Sequence, residues 1–312
     1  MLFPGQGSQA VGMTADLMDR PGSAAGFLAA ANDILGFDLL QTMHEGPGEI
    51  LTETRNAQPA ILAHSVAMTL TLREMGIMPS IVAGHSIGEF SAAVAAGVIE
   101  PADGLKIVRR RGELMFAAGQ EIPGTMAAVM GLSGAQVTEI CAQVSKENGV
   151  VVLANHNSEA QVVISGEVPA VTAAGEALKS AGAKRVITLN VSGAFHSPLL
   201  EGAGASFKSF LKGITIAEAQ VPLIANVSAT ASVAADQLAD GFGRQLTAPV
   251  RWHETMELLA GPDSAQPKIV LEVGPGKVLS NLARRTYPET RFVPVGTSAD
   301  LDGILDILQE SL

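Results

Sequence analysis

The chain has 312 residues, 47% of them hydrophobic and 16% charged, with a formal net charge of -11. So apolar a composition argues against intrinsic disorder, and the acidic balance argues against broad nucleic-acid binding, which needs Lys and Arg to neutralise phosphates. A lone cysteine, Cys141, excludes an intramolecular disulfide or a cysteine-rich metal cage and fits a reducing compartment.

The length allows one large domain or a main domain carrying a smaller one. The start Met1-Leu2-Phe3-Pro4-Gly5 has neither the basic region nor the long apolar region of a signal peptide, and no apolar stretch reaches the length of a membrane span. A cytoplasmic location without a membrane partner is the expectation. Only Leu2 and Phe3 precede the Pro-Gly turn, so the first strand is expected to lack its beginning. The Gly-rich turn Phe3 to Gln9 suits close backbone approach by a ligand, but neither Gly-Lys-Ser/Thr nor G-x-G-x-x-G marks it as a nucleotide loop.

Ala60 to Met75 reads as an apolar helix with Pro59 at its first position and Gly76 as its stop. The buried strand Ser80 to Ala83 follows, then the turn Gly84-His85-Ser86-Ile87-Gly88, an Ala-rich helix Phe90 to Val98, and a helix from Pro101 to Ala118. Between 123 and 190 the order becomes β-α-β-β-α-β: strand Thr125 to Met130, helix Ser133 to Lys146, strands Val150 to Ala154 and Gln161 to Ser165, helix Val168 to Ala181, and strand Arg185 to Leu189. Ser133 and Gln136 form a capping box, and Gly182 stops the second helix. This is the split βαβ of ferredoxin-like units, inserted in a larger domain. Strands Val221 to Ala225, Ile269 to Val273 and Phe292 to Val295 then alternate with helices Gln237 to Leu246, Trp252 to Ala260 and Lys277 to Thr286, as in a parallel, helix-covered sheet. The site is expected at the carboxyl ends of those strands.

In G-x-S-x-G the glycines let a strand turn abruptly into a helix, which exposes the serine and aims the following N–H groups at one spot. Ser86 is therefore the candidate nucleophile; the bland alternative is a tight turn with Ser86 as helix cap. Of six histidines the best-placed base is His196, in the polar loop Ser192 to Pro198, with His85 and His156 as rivals. His85 adjoins the serine, so its side chain should diverge from it. No acid between Ser86 and His196 stands out as an orienting group, so a backbone carbonyl or amide can hold the base instead. Arg109, Arg110 and Arg111 cannot all face one way, since successive helical residues are about 100° apart; the run alone favours a solvated face. An inward guanidinium would bind a carboxylate through two parallel hydrogen bonds.

Seven blocks in order resemble the malonyl-CoA:acyl-carrier-protein transacylases of fatty-acid synthesis and the related acyltransferase domains of polyketide and animal fatty-acid synthases. They are Phe3-Pro4-Gly5-Gln6-Gly7-Ser8-Gln9, Asn56-Ala57-Gln58-Pro59-Ala60, Gly84-His85-Ser86-Ile87-Gly88-Glu89, Arg110-Arg111-Gly112, Gly193-Ala194-Phe195-His196-Ser197, Pro249-Val250-Arg251-Trp252 and Glu272-Val273-Gly274-Pro275-Gly276. The resemblance implies an α/β fold: an α/β-hydrolase-like parallel-sheet domain, residues 1–122 and 191–312, with a ferredoxin-like (βαββαβ) subdomain at 123–190. It implies Ser86 as nucleophile, His196 as base, Gln245 as the carbonyl orienting it, Arg111 as malonate ligand, and the Gln6 and Ile87 N–H groups as oxyanion hole.

The resemblance further implies malonyl transfer from malonyl-CoA to acyl carrier protein, with no cofactor beyond these substrates. Arg111 disfavours acetyl, and Phe195 beside the base would crowd an α-methyl branch. Carrier proteins are acidic, so Lys184, Arg185, Lys277, Arg284 and Arg285 are candidate docking residues. A monomer is expected. The alternatives are a serine esterase or thioesterase on the same elbow, a polyketide-pathway acyltransferase, or an inert scaffold that binds acyl carriers.

Overall fold

The computed structural model describes residues 1–191, 193–264 and 267–309; Ser192, at the start of the loop expected to carry the base, lies outside the described residues, as does the end of the expected catalytic domain. Among the described residues the strands in chain order are β1 (Leu2–Phe3), β2 (Val82–Gly84), β3 (Gly124–Met130), β4 (Val151–Ser158), β5 (Gln161–Glu167), β6 (Arg185–Thr188), β7 (Leu223–Ile224), β8 (Ala231–Ser232), β9 (Ile269–Val273) and β10 (Arg291–Val295).

Short apolar strands that alternate with helices can bury both faces in a parallel sheet. Six of them do so in the order β10-β9-β1-β2-β7-β8, with every pair parallel except β7 and β8. Leu2 stands opposite Ala83 on one side and Glu272 on the other. β1, β2 and β7 therefore end along one edge, which is where Gln6, Ser86 and Asn226 emerge.

The other four strands form an antiparallel sheet ordered β4-β5-β3-β6. Its side chains alternate between faces. Ala127 and Val129 pack with Val137, Val171 and Leu178 of the helices Gly134–Asn148 and Val168–Ser180, whereas Met126 and Ala128 face a cleft shared with the parallel sheet. The Ser133–Gln136 capping box is formed, and Gly182 follows the second helix at φ 102. β4 runs on to Ser158 instead of stopping at Ala154, because Asn155, His156 and Ser158 still pair with β5; on its other side Val250 N–H donates to Ala154 at 2.8 Å and His156 N–H to Val250 at 2.9 Å.

The helix expected to begin after Pro59 begins earlier, spanning Thr54–Glu74 with Pro59 inside. Proline has no N–H to offer the carbonyl four residues back, here that of Arg55. Arg109 Nη1 donates to that carbonyl at 2.9 Å and to Asn56 Oδ1 at 3.0 Å, with the guanidinium over the Phe37 ring at 4.3 Å. A partner 54 residues away thus carries the helix through its proline. Arg109→Met, which keeps the apolar stem and removes the donors, should lower unfolding free energy by about 1–3 kcal/mol in urea titration; an unchanged midpoint would show that the Arg55 carbonyl finds water at no loss.

Several helices were not expected, among them Ser23–Leu35, Glu201–Leu211 and Ser298–Gln309. The one expected over Lys277 to Thr286 contracts to Val278–Ala283, its first N–H groups at Leu279 and Ser280 taken by the buried Glu272 carboxylate at 2.9 and 2.7 Å. No helix among the described residues is long and apolar enough to cross a membrane.

Candidate active site

Ser86 lies between β2 and the helix Gly88–Ala95 with φ 51, a left-handed conformation that a side chain adopts only when the surroundings impose it. A Cβ at Gly84 would lie 2.0 Å from the Gly88 carbonyl oxygen, and one at Gly88 would lie 2.2 Å from that of Phe3, so both positions require glycine. Asn226, just past the end of the neighbouring strand β7, accepts the Ser86 N–H through Oδ1 at 2.7 Å and donates through Nδ2 to the Gly84 carbonyl at 2.6 Å. Gln245 Nε2 donates to the Ser86 carbonyl at 3.0 Å. Such clamping exceeds what a helix cap requires.

His196 Nε2 lies 2.7 Å from Ser86 Oγ. Its Nδ1 faces two carbonyl oxygens, of Gln245 at 2.9 Å and Ala248 at 3.2 Å. Carbonyls only accept, so Nδ1 carries the proton and Nε2 is left with the lone pair that can take the serine proton. Burial, then the nearby Arg111 and His85 charges, push the His196 imidazolium down to about 3, so the ring is neutral at ordinary pH. The rivals face elsewhere: His85 turns from Ser86 to Asn157 Oδ1 at 2.8 Å, edge-on to Trp252, and His156 packs against His253 at 4.8 Å between ring centres.

Of the acids between Ser86 and His196 in the chain, one lies at the site without orienting the base. Glu89 is fully buried, accepts from the Asn226 N–H at 3.0 Å and from Gln245 Nε2, and makes no hydrogen bond to His196 among the described residues. Sequence reading gave it no role, although it closes the block Gly84 to Glu89.

Arg111 overturns the expectation of a solvated face for the run taken alone: it is 1% exposed. Nη2 donates to Ser86 Oγ at 3.1 Å, Nη1 to Gln58 Oε1 at 2.9 Å, and Nε to Gln245 Oε1 at 3.0 Å. Burial lowers the guanidinium to about 9, which leaves it charged at neutral pH. Arg109 serves the Arg55 carbonyl, and Arg110 is half-exposed, with Glu113 at 3.8 Å. The inward turn was legible: Gly104, Ile107, Val108, Gly112 and Met115 are buried on the same stripe of the helix Pro101–Glu121.

These side chains border a cleft of about 650 Å3 lined by Gln6, Ile87 and Phe195 together with Met115 and Met126. The backbone N–H groups of Gln6 and Ile87 have no hydrogen-bond acceptor among the described residues. The structure thus gathers Ser86, His196, Gln245, Arg111, Gln6, Ile87 and Phe195 at one place. Gln58, Asn226 and Glu89 complete the cluster; Gln58 lies in the block Asn56 to Ala60, and Asn226 left no signal beyond its place after an expected strand.

That arrangement, a serine between a neutral imidazole and a buried cation, suits transfer of an acyl group that itself bears a negative charge. A family model described as the acyl transferase domain matches residues 1–301. The chain is 38% identical to the malonyl CoA-acyl carrier protein transacylase of Bacillus subtilis, over 99% of this chain and 96% of that one. A solved acyl carrier protein S-malonyltransferase from Vibrio cholerae superposes with TM-score 0.91 at 39% identity, covering 97% of this chain and 98% of that one. A malonyl-transacylase solved with a type II polyketide acyl carrier protein matches equally, with TM-score 0.91, 39% identity and 98% of each chain covered. The chain belongs to the acyl transferase domain family.

Proposed function

We propose that the chain transfers a malonyl group from malonyl-CoA to the phosphopantetheine thiol of holo-acyl carrier protein through a malonyl ester on Ser86, supplying fatty-acid chain elongation. The observation that carries this reading is the position of Ser86 Oγ, 2.7 Å from His196 Nε2 and 3.1 Å from Arg111 Nη2. A base and an anion ligand bracket one nucleophile.

In the first half-reaction Arg111 holds the malonyl carboxylate and His196 takes the Ser86 proton as Oγ attacks the thioester carbon. The oxyanion is held by the Gln6 and Ile87 N–H groups. Collapse expels the coenzyme A thiolate, which leaves with the proton from His196. In the second, His196 takes the proton of the carrier thiol, the sulfur attacks the ester, and the departing Ser86 oxygen recovers the proton. The Gln245 carbonyl keeps the imidazole in the required tautomer throughout. Phe195, buried at the cleft wall, leaves little room for an α-methyl branch.

In this reading the catalytic domain comprises residues 1–122 and 191–312, and 123–190 is a ferredoxin-like insert, a division supported by the sheet order β4-β5-β3-β6. The enzyme acts as a cytoplasmic monomer and needs no cofactor. The acidic carrier docks on exposed Lys184, Arg185, Lys277, Arg284 and Arg285, which lie at the start of β6 and at the two ends of the helix Val278–Ala283, the segments that lead to the cleft residues Leu189, Asn190, Val278 and Asn281.

Incubation with malonyl-CoA alone should place one malonyl group on the peptide containing Ser86, read by mass spectrometry, and later addition of holo-carrier protein should remove it. Absence of the adduct would refute the proposal. Equal malonyl-CoA turnover with and without a thiol acceptor would instead mark a thioesterase.

A further inference from the structure

Glu89 is a buried ionisable group to which the chemistry above assigns nothing, and its position is unusual. It sits on the first turn of the helix Gly88–Ala95 and grips, one with each carboxylate oxygen, the two residues that clamp the nucleophile: Oε1 accepts from Asn226 N–H at 3.0 Å and Oε2 from the Gln245 side-chain amide. Asn226 in turn fixes the Ser86 N–H. Gln245 does more. Its Nε2 donates to the Ser86 carbonyl at 3.0 Å, its Oε1 accepts from Arg111 Nε at 3.0 Å, and its backbone carbonyl accepts from His196 Nδ1 at 2.9 Å.

An amide side chain has two nearly equal shapes, related by a half-turn that exchanges its oxygen and nitrogen. Only one of them serves here. With the amide reversed, Nε2 would face Arg111 Nε, donor against donor, and the oxygen would face both the Ser86 carbonyl and the carboxylate. An ionised carboxyl group is acceptor-only, so it selects the orientation with nitrogen toward itself. A proton on Oε2 would set a donor against Gln245 Nε2 and leave only Arg111 Nε and the Ser86 carbonyl to hold the amide against it. We propose that Glu89 is a positioning residue whose ionised carboxylate fixes the Gln245 amide in the orientation that holds Arg111 and the Ser86 elbow together. The inference rests on the reading of Ser86 as the acylated nucleophile.

The charged group that acts on Glu89 among the described residues is Arg111 on the helix Pro101–Glu121; His196, in the loop after β6, and His85, before the helix of Glu89, act on one another and with Arg111 at the same site. Asn226 and Gln245 are neutral. Burial raises the Glu89 carboxyl to about 7, outweighing the Asn226 and Gln245 hydrogen bonds and the Arg111 charge, which act to lower it. The ionised fraction therefore changes across the neutral range, and it grows with pH. His196, at about 3, does not titrate there.

The test compares wild type with Glu89→Gln, which keeps shape and removes the acceptor-only character. Malonyl transfer is followed from malonyl-CoA to carrier protein between pH 5.5 and 8.5. Wild-type kcat should rise with pH through a neutral-range ionisation. Glu89→Gln should fold as wild type, lose kcat by about 10–100-fold, the scale of a misplaced catalytic group, keep KM for malonyl-CoA within about threefold, and show no such ionisation. A variant with wild-type kcat, or with lower kcat and an unchanged pH profile, would overturn the assignment, the second because mere packing explains it. Should the variant not fold, 15N NMR of wild type decides: one glutamine side-chain amide must shift with the midpoint of the rate, and none doing so refutes the proposal. Wild type that takes no acyl group refutes the reading of the site, whereas active wild type with an unaffected variant refutes only the role of Glu89.

Discussion

Ser86→Ala is expected to form no acyl adduct and to transfer malonyl about 10^4–10^6-fold more slowly than wild type, the range over which serine nucleophiles act with their base. The Cβ remains and the backbone still needs φ 51, so Asn226 and Gln245 keep their grip on the elbow. Because Arg111 is untouched, malonyl-CoA should still bind, measurable by calorimetry with the inactive variant. His196→Ala should cost nearly as much as Ser86→Ala, and the double variant little more than either, since the two act as one unit across a 2.7 Å contact. Activity of Ser86→Ala within tenfold of wild type would remove Ser86 from the role of nucleophile.

The second large effect concerns choice of acyl group. Arg111→Ala should lower kcat/KM for malonyl-CoA by about 10^2–10^3-fold, the loss when one partner of a buried hydrogen-bonded charge pair is truncated, and should favour acetyl-CoA relative to malonyl-CoA. Arg111→Lys should recover only part, since an ammonium cannot match two parallel carboxylate bonds. A linked change is expected in pH dependence. Arg111 is the second cause, after burial, of the depressed His196. Arg111 also acts to lower Glu89, so without it both the imidazolium and the protonated Glu89 carboxyl become easier to form, and the acid limb of acetyl transfer moves upward in pH. Unchanged acyl preference in Arg111→Ala would remove it from the carboxylate site. The same variant strips Gln58 and Gln245 of a buried donor, so a lower melting temperature should accompany it.

What could be read from sequence was what depends on near neighbours in the chain. Gly84 announces the elbow because the clash it avoids is with Gly88 in the same turn, whereas the clash that Gly88 avoids, with Phe3 of β1, adds a distant reason for the same pattern. Ser133 and Gln136 announce a helix start because they, too, meet within one turn. The carboxyl-edge location of the site followed from element order alone. The extension of Thr54–Glu74 past Pro59 was illegible because its cause, Arg109, lies on another helix. Asn226 was illegible because its role arises only once β7 lies beside β2. Among six histidines, spacing could not single out His196, since what fixes its proton is a carbonyl 49 residues downstream. Arg111 is intermediate: its run pointed outward, and the apolar stripe it shares pointed inward.

Ser86 and His196 share one further property: both are non-glycine residues with positive φ, 51 and 56. Each such residue strains the chain by roughly 1–3 kcal/mol, and of the four among the described residues, with Thr14 and Ala229, these two are the ones whose side chains meet at the nucleophile. The backbone would relax at either place with glycine, which carries no reacting atom. Selection for a more stable chain and selection for a faster one therefore oppose each other at these two positions, and the rest of the fold must be robust enough to keep both under tension.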